Sequence, residues 1–93
     1  MNYIDRIASD LATECGDDDP TDTEKLLYRF YALLVLSRGA DTTARDVHDA
    51  WAAWQTGLFS KHRSIVPFEE LTPEVQALDD KYVDAIHAVA GRL

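Results

Sequence analysis

The sequence is poor in cysteine and in basic residues. Cys15 is the only cysteine among 93 residues, so the chain can form neither an internal disulfide nor a metal site built on paired thiolates. Nine Lys and Arg stand against seventeen Asp and Glu, which leaves a net charge of -8. Because an acidic surface repels phosphate backbones, we expect no nucleic-acid partner.

The sequence also lacks a long hydrophobic run and a secretory signal. No apolar stretch approaches the ~18 residues of a membrane-spanning helix. The first residues, MNYIDRIASDL, carry acids and have no continuous apolar segment. With 46% hydrophobic and 28% charged residues, the composition is that of a globular protein, and the length suits one domain over residues 1–93. We expect a cytoplasmic protein with no membrane partner.

What the first half does contain is a set of helix signals. Helical spacing of apolar residues predicts a first helix, carried by Ile4, Ile7 and Leu11. It should end near Cys15 and Gly16, before a solvated acidic connector at 17–20. A Thr-x-x-Glu capping box at Thr21–Glu24 opens a second helix, which is apolar on almost every side until Gly39. This pattern predicts that the second helix is the central one.

Two further helices are predicted in the second half. The third is capped by one of three residues, Asp41, Thr42 or Thr43. It ends at Gly57, and a loop over 58–71 precedes a fourth helix that Thr72 and Pro73 open. The apolar stripe of this last helix is Val75, Leu78, Tyr82, Ile86 and Val89. Because no stretch alternates at a period of two, we predict an all-α fold: a compact single domain of about four helices, with a structured loop between helices 3 and 4.

Charge is distributed unevenly along the chain. Residues 1–24 hold eight acids and one base, which gives -7. Residues 25–63 hold six bases and three acids, giving +3, and residues 64–93 hold six acids and two bases, giving -4. The chain is therefore acidic at both ends and mildly basic in the middle. This distribution favours a basic or cationic partner.

Familiar catalytic and metal-binding arrangements are missing from the sequence. His48, His62 and His87 do not have the spacing of a zinc site, and the serines stand in no nucleophile-elbow context. The aspartate run lacks the glycine and the final acid of a calcium-binding EF-hand loop. Asp46 and Asp49 would oppose the docking of helix 3 on DNA. We expect no enzyme activity, no metal and no cofactor.

One group of residues is more specific than a helical core requires. It consists of His48-x-x-Trp51, His62, Ile65-Val66-Pro67-Phe68, Glu70-Leu71 and Asp79. This pattern, within residues 47–83, resembles the RyR domain, a small helical module repeated in ryanodine receptors and found as a free-standing domain in bacteria and phages. The chain is also similar to short uncharacterised proteins of actinobacteria and actinophages.

The resemblance implies roles for the residues of the pattern. His48 and Trp51 would pack against the Pro-Phe segment. His62 would anchor the loop, and Asp79 would tie the last helix back to it. RyR domains usually carry a Gly-Trp-x-Tyr-Gly stretch, a ligand wall, before the loop histidine, whereas this chain has a shorter Gly-Leu-Phe at 57–59.

Two functional hypotheses follow. The first is a non-enzymatic binding module that recognises a small anionic ligand, such as a nucleotide derivative, in an aromatic and basic corner. Its ligand-binding residues would be His48, Trp51, Phe59, Lys61, His62, Arg63 and Phe68. The second is an acidic protein-interaction factor, of the kind that a phage encodes, which docks on a host protein through its N-terminal segment. The aromatic residues could equally be core and the basic ones surface, and the sequence leaves the oligomeric state open.

Overall fold

The computed structural model describes residues 1–58 and 61–93. All regular secondary structure in these ranges is helical. The α-helices are α1 (Tyr3–Glu14), α2 (Asp22–Ser37), α3 (Ala44–Leu58), α4 (Pro73–Ala77) and α5 (Asp80–Ala90). Short 3-10 turns lie at Gly39–Asp41 and Phe68–Glu70. The predicted all-α fold of one compact domain is confirmed, with no strand in the described ranges.

Reciprocal capping boxes begin α2 and α3. At α2 the Thr21 hydroxyl accepts from the Glu24 backbone N–H (3.2 Å), while the Glu24 carboxylate accepts from the Thr21 backbone N–H (3.0 Å), as predicted. At α3 the same exchange joins Thr43 and Asp46, at 3.3 and 2.9 Å. Of the three candidate caps for the third helix, the structure therefore selects Thr43.

The last predicted helix is broken into α4 and α5. The backbone N–H groups of Leu78 and Asp79 reach back three residues, to Val75 and Gln76, which tightens the chain into a turn. The Gln76 side chain donates to the Phe68 carbonyl (2.9 Å) and holds α4 to the loop, whereas α5 packs on α1 and α2. A single straight helix could not make both sets of contacts. Leu78, which the sequence predicts in the apolar stripe, is therefore exposed at the break.

The core lies between α1, α2 and α5, with one contribution from α3. Its buried hydrophobic residues are Ile7, Ala8, Leu11, Ala12, Leu27, Tyr28, Tyr31, Ala32, Val35, Val47, Ala85, Ile86 and Val89. As predicted, α2 is central, because it contacts α1, α3 and α5. It is not enclosed, however: Leu26, Leu33 and Leu36 are exposed on its outer side. Among the described helices, none is long and apolar enough to cross a membrane.

Candidate functional site

A groove of about 430 Å³ runs between α1 and the N-terminal half of α2. Its α1 side is lined by Met1, Asp5, Ala8, Ser9, Ala12 and Thr13. Its α2 side is lined by Lys25, Tyr28 and Arg29, and the connector Asp17–Pro20 closes one end. Ala8 and Ala12 are buried four residues apart on one face of α1, so two small side chains form the floor.

The turn after α1 brings the acidic connector to the groove. Gly16 has a φ of 77°, and its N–H bonds to the Thr13 carbonyl while the Asp17 N–H bonds to the Ala12 carbonyl. This is a Schellman motif, in which glycine takes the left-handed conformation at little steric cost. The chain reverses there, and the Tyr28 hydroxyl donates to the Asp17 carboxylate at 3.3 Å.

The groove carries an excess of acidic groups. Arg29 Nε and Asp5 Oδ1 form an ion pair at 2.7 Å, which matches one base with one acid. The other charged side chains of the lining are the three aspartates at 17–19 and Lys25. Burial, followed by the nearby thiol of Cys15 and the Asp17 carboxylate, raises the pKa of Tyr28 above its ordinary value, so its hydroxyl keeps its proton at neutral pH. The end of the groove therefore offers carboxylates to a cationic group.

An aromatic corner, made of His48, Trp51, His62 and Phe68, lies where α3 meets the following loop. The His48 and Trp51 rings stack with centroids 5.7 Å apart, and His62 meets Trp51 edge-on at 5.0 Å. The centroid of Phe68 lies 6.1 Å from that of His48. Such stacked and edge-on contacts are favourable aromatic geometries. The corner is therefore filled by rings of the chain itself.

Hydrogen bonds fix the loop to this corner. His48 is 3% exposed, and its Nε2 donates to the Val66 carbonyl at 2.7 Å. The Ser64 backbone N–H donates to His62 Nδ1 at 3.1 Å. Because His48 and His62 hydrogen-bond to the backbone of their own chain, both imidazoles stabilise the loop against α3.

The family profile described as Domain of unknown function (DUF7701) matches residues 2–91, which include all five helices. The chain belongs to this family. Searches of curated proteins and of solved structures found no match. The family description names no ligand or partner. A function for this DUF7701 domain has to be inferred from its geometry.

Four of the seven predicted site residues meet in the DUF7701 domain, namely those of the aromatic corner. Lys61 and Arg63 are exposed on the loop, and Phe59 lies outside the described residues. Arg45 of α3 forms an ion pair with Glu69, the residue after Phe68. Arg63 borders a shallow depression of about 430 Å³ on the loop and α4, whose other lining residues are Ser64, Val66, Glu70, Leu71, Thr72 and Val75.

Asp79 lies at the break between α4 and α5. Its carboxylate makes no capping hydrogen bond to α5. Burial raises the pKa of Asp79 above its ordinary value, and the neighbouring Asp80 adds to the shift while His48 opposes it. Within the described residues, no group of three or more His, Cys, Asp or Glu side chains is arranged to hold a metal ion.

The groove is the part of the site that sequence reasoning missed. The spacing of Ile7 and Leu11 predicts an apolar face of α1, but it does not predict the buried floor that Ala8 and Ala12 form beside them. The available signal was an i, i+4 pair of small residues next to that stripe, followed by a glycine turn and an acidic run. Small residues between two packed helices leave room for a ligand or for a side chain of a partner.

Proposed function

We propose that this chain is a non-enzymatic protein-interaction domain that binds a basic segment of another protein in the groove between α1 and α2. The observation that carries the proposal is the groove's charge and shape together. Its floor is formed by Ala8 and Ala12, and beside the Asp5–Arg29 ion pair its charged side chains are three aspartates at one end and Lys25. A lysine or arginine side chain has an apolar stem and a cationic head, which suits such a lining.

Long-range electrostatics support the same choice of partner. Residues 1–24, which form α1, the connector and the first turn of α2, have a net charge of -7, against -8 for the whole chain. Such a field raises the rate of encounter with a basic surface and suppresses encounter with an acidic one. The aromatic corner offers less room for a ligand, because its rings contact one another and His48 already binds the loop.

The test is a titration of the 15N-labelled full chain with an arginine-rich octapeptide, followed by NMR. We expect shifts of the amide signals of Ser9 and Thr13. A triple variant, Asp17→Asn, Asp18→Asn and Asp19→Asn, should weaken binding and slow association, since surface charges steer encounter. Its stability should change by no more than about 0.5 kcal/mol, because asparagine keeps an oxygen to accept the Tyr28 hydroxyl.

A matched control removes three acidic charges elsewhere. Glu74→Gln, Asp80→Asn and Asp84→Asn change exposed residues of α4 and α5, outside the groove lining. This control should bind the octapeptide almost as well as the wild type at moderate salt. Equal weakening of binding by the two triple variants would contradict the proposal, because net charge rather than the groove would then govern binding.

A small anionic ligand at the loop is the second candidate function. The observation in its favour is that Arg63 is exposed at the rim of the shallow depression, with Ser64 and Thr72 nearby. Under this hypothesis, nucleoside phosphates should perturb the loop signals, and Arg63→Ala should cost about 1.5–3 kcal/mol of binding with an unchanged melting midpoint. Because the two candidates require ligands of opposite charge, the same labelled sample discriminates them.

A further inference from the structure

The outer side of α2 carries an exposed apolar ridge, formed by Leu26, Leu33 and Leu36. These side chains are 41%, 57% and 46% exposed. Their spacing of seven and three residues places them on one face of the helix, over a length of ~15 Å. Three exposed leucines that share one helix face are more typical of an interaction surface than leucines scattered singly over the surface.

The leucine ridge adjoins the acidic groove. Arg29 lines the groove and also lies between Leu26 and Leu33 on the helix surface, three residues after one and four before the other. Residues 25–37 contain no acid, so the acidic groups of this surface belong to the groove and the apolar ones to the ridge. A partner that covers both therefore needs two different faces, one cationic and one apolar.

Area and charge together decide which partner fits. The ridge exposes only a few hundred Å², well below the ~800 Å² per partner that a stable interface buries. The rest of the contact must come from the surrounding surface. A second copy of this chain, with its own net charge of -8, is repelled as a whole, whereas a basic protein is attracted to the acidic groove beside the ridge.

We propose that the groove and the leucine ridge together bind a basic amphipathic helix of a different protein. Its apolar residues, spaced at three and four, lie on Leu26, Leu33 and Leu36, while its lysines or arginines enter the groove beside the aspartates of the connector. This is a helix-in-groove mode of recognition. The inference rests on the proposed function, since it names the structural class of the basic segment.

The probe is an 18-residue helical peptide with leucines on one face and lysines on the neighbouring face. One comparison peptide has the same composition in scrambled order, and another carries glutamate in place of lysine. Each is titrated into the labelled full chain and into the variant Leu33→Gln. The control variant is Leu78→Gln, which changes a leucine that is 69% exposed outside α2.

We expect the lysine peptide to bind at least tenfold more tightly than either comparison peptide. Leu33→Gln should weaken it at least tenfold with an unchanged melting midpoint, and Leu78→Gln should leave its affinity within twofold of the wild type. Equal binding of the ordered and scrambled basic peptides overturns the helix inference but leaves the basic-segment proposal standing.

Other outcomes locate the failure elsewhere. If neither basic peptide binds, the proposed function itself fails. Self-association of the wild type that Leu33→Gln abolishes would identify the ridge as an interface between two copies and overturn the inference. Tight binding of the glutamate peptide would overturn it as well, because the groove would then play no electrostatic role.

Discussion

The α1–α2 hairpin, which comprises α1, the connector and α2, differs from the aromatic corner in what lies between its elements. In the hairpin, a groove lined by the buried Ala8 and Ala12 lies between the two helices, and charged side chains stand at its rim. In the corner, four rings occupy the space between α3 and the loop. The hairpin therefore leaves a groove accessible to solvent, whereas the corner packs the loop against α3.

The comparison shows how the loop between α3 and α4 is held in place. Nitrogen donors on helices bind loop carbonyls: His48 binds Val66, and Gln76 binds Phe68. The His48 bond satisfies the Val66 carbonyl of a partly buried loop, and the Gln76 bond adds a second donor to the Phe68 carbonyl, which also accepts the Leu71 backbone N–H. The hairpin needs no such bonds, because its helices satisfy their own backbone groups and its connector is short.

Replacing Trp51 by alanine is the strongest way to break the corner. Its ring contacts both His48 and His62, so Trp51→Ala should destabilise the fold by about 3 kcal/mol. Urea unfolding followed by circular dichroism measures this loss. The matched groove variant, Ser9→Ala, should stay within about 0.5 kcal/mol of the wild type. A Trp51→Ala cost as small as the Ser9→Ala cost would mean that the corner does not hold the loop.

A smaller effect should follow from removing one donor of the corner. His48→Phe keeps a ring beside Trp51 but loses the N–H that the Val66 carbonyl accepts. Leaving a buried carbonyl unpaired should cost about 1–3 kcal/mol. Hydrogen exchange of the Ile65 amide, which bonds to the His62 carbonyl, should become faster in this variant. Unchanged stability and exchange would show that ring packing alone secures the loop.

The smallest predicted effect depends on pH and concerns Asp79, at the edge of the corner. Burial raises the pKa of Asp79 in the folded state, so its ionised form disfavours folding and its protonated form favours it. That favourable contribution is present below the pKa of the unfolded chain and is lost as pH rises through the folded-state pKa. Asp79→Asn should therefore be more stable than the wild type at pH 7.

Urea unfolding at pH 7 and at pH 4 checks this sign. The advantage of Asp79→Asn should shrink as the pH falls, because the wild-type carboxyl then gains its proton. A variant less stable than the wild type at pH 7 would instead indicate that the negative charge at the start of α5 is favourable.

Much of the fold could be predicted because its signals are local. The capping box at Thr21–Glu24 and the Thr72-Pro73 start of α4 are set by neighbouring residues, and both occur in the structure. The break at Leu78 could not be read from periodicity, because it arises from the Gln76 bond to Phe68 and from the packing of α5 elsewhere. Tertiary contacts override a continuous apolar stripe there.

The candidate site, too, could be predicted only in part. The sequence pattern brought His48, Trp51, His62 and Phe68 to attention, and they do meet. Whether these rings enclose a ligand or one another depends on distances that spacing does not encode. The groove cannot be predicted from the sequence, because the size of a space between two helices depends on how they pack.

The three imidazoles hydrogen-bond to the backbone in two different ways that require the same neutral tautomer. His48 and His87 donate from Nε2 to the carbonyls of Val66 and Thr42. His62 accepts the Ser64 N–H at Nδ1, so its neutral ring also carries its hydrogen on Nε2. The 15N signals of all three rings should therefore show the Nε2–H tautomer, because in each ring a backbone group fixes which nitrogen carries the hydrogen.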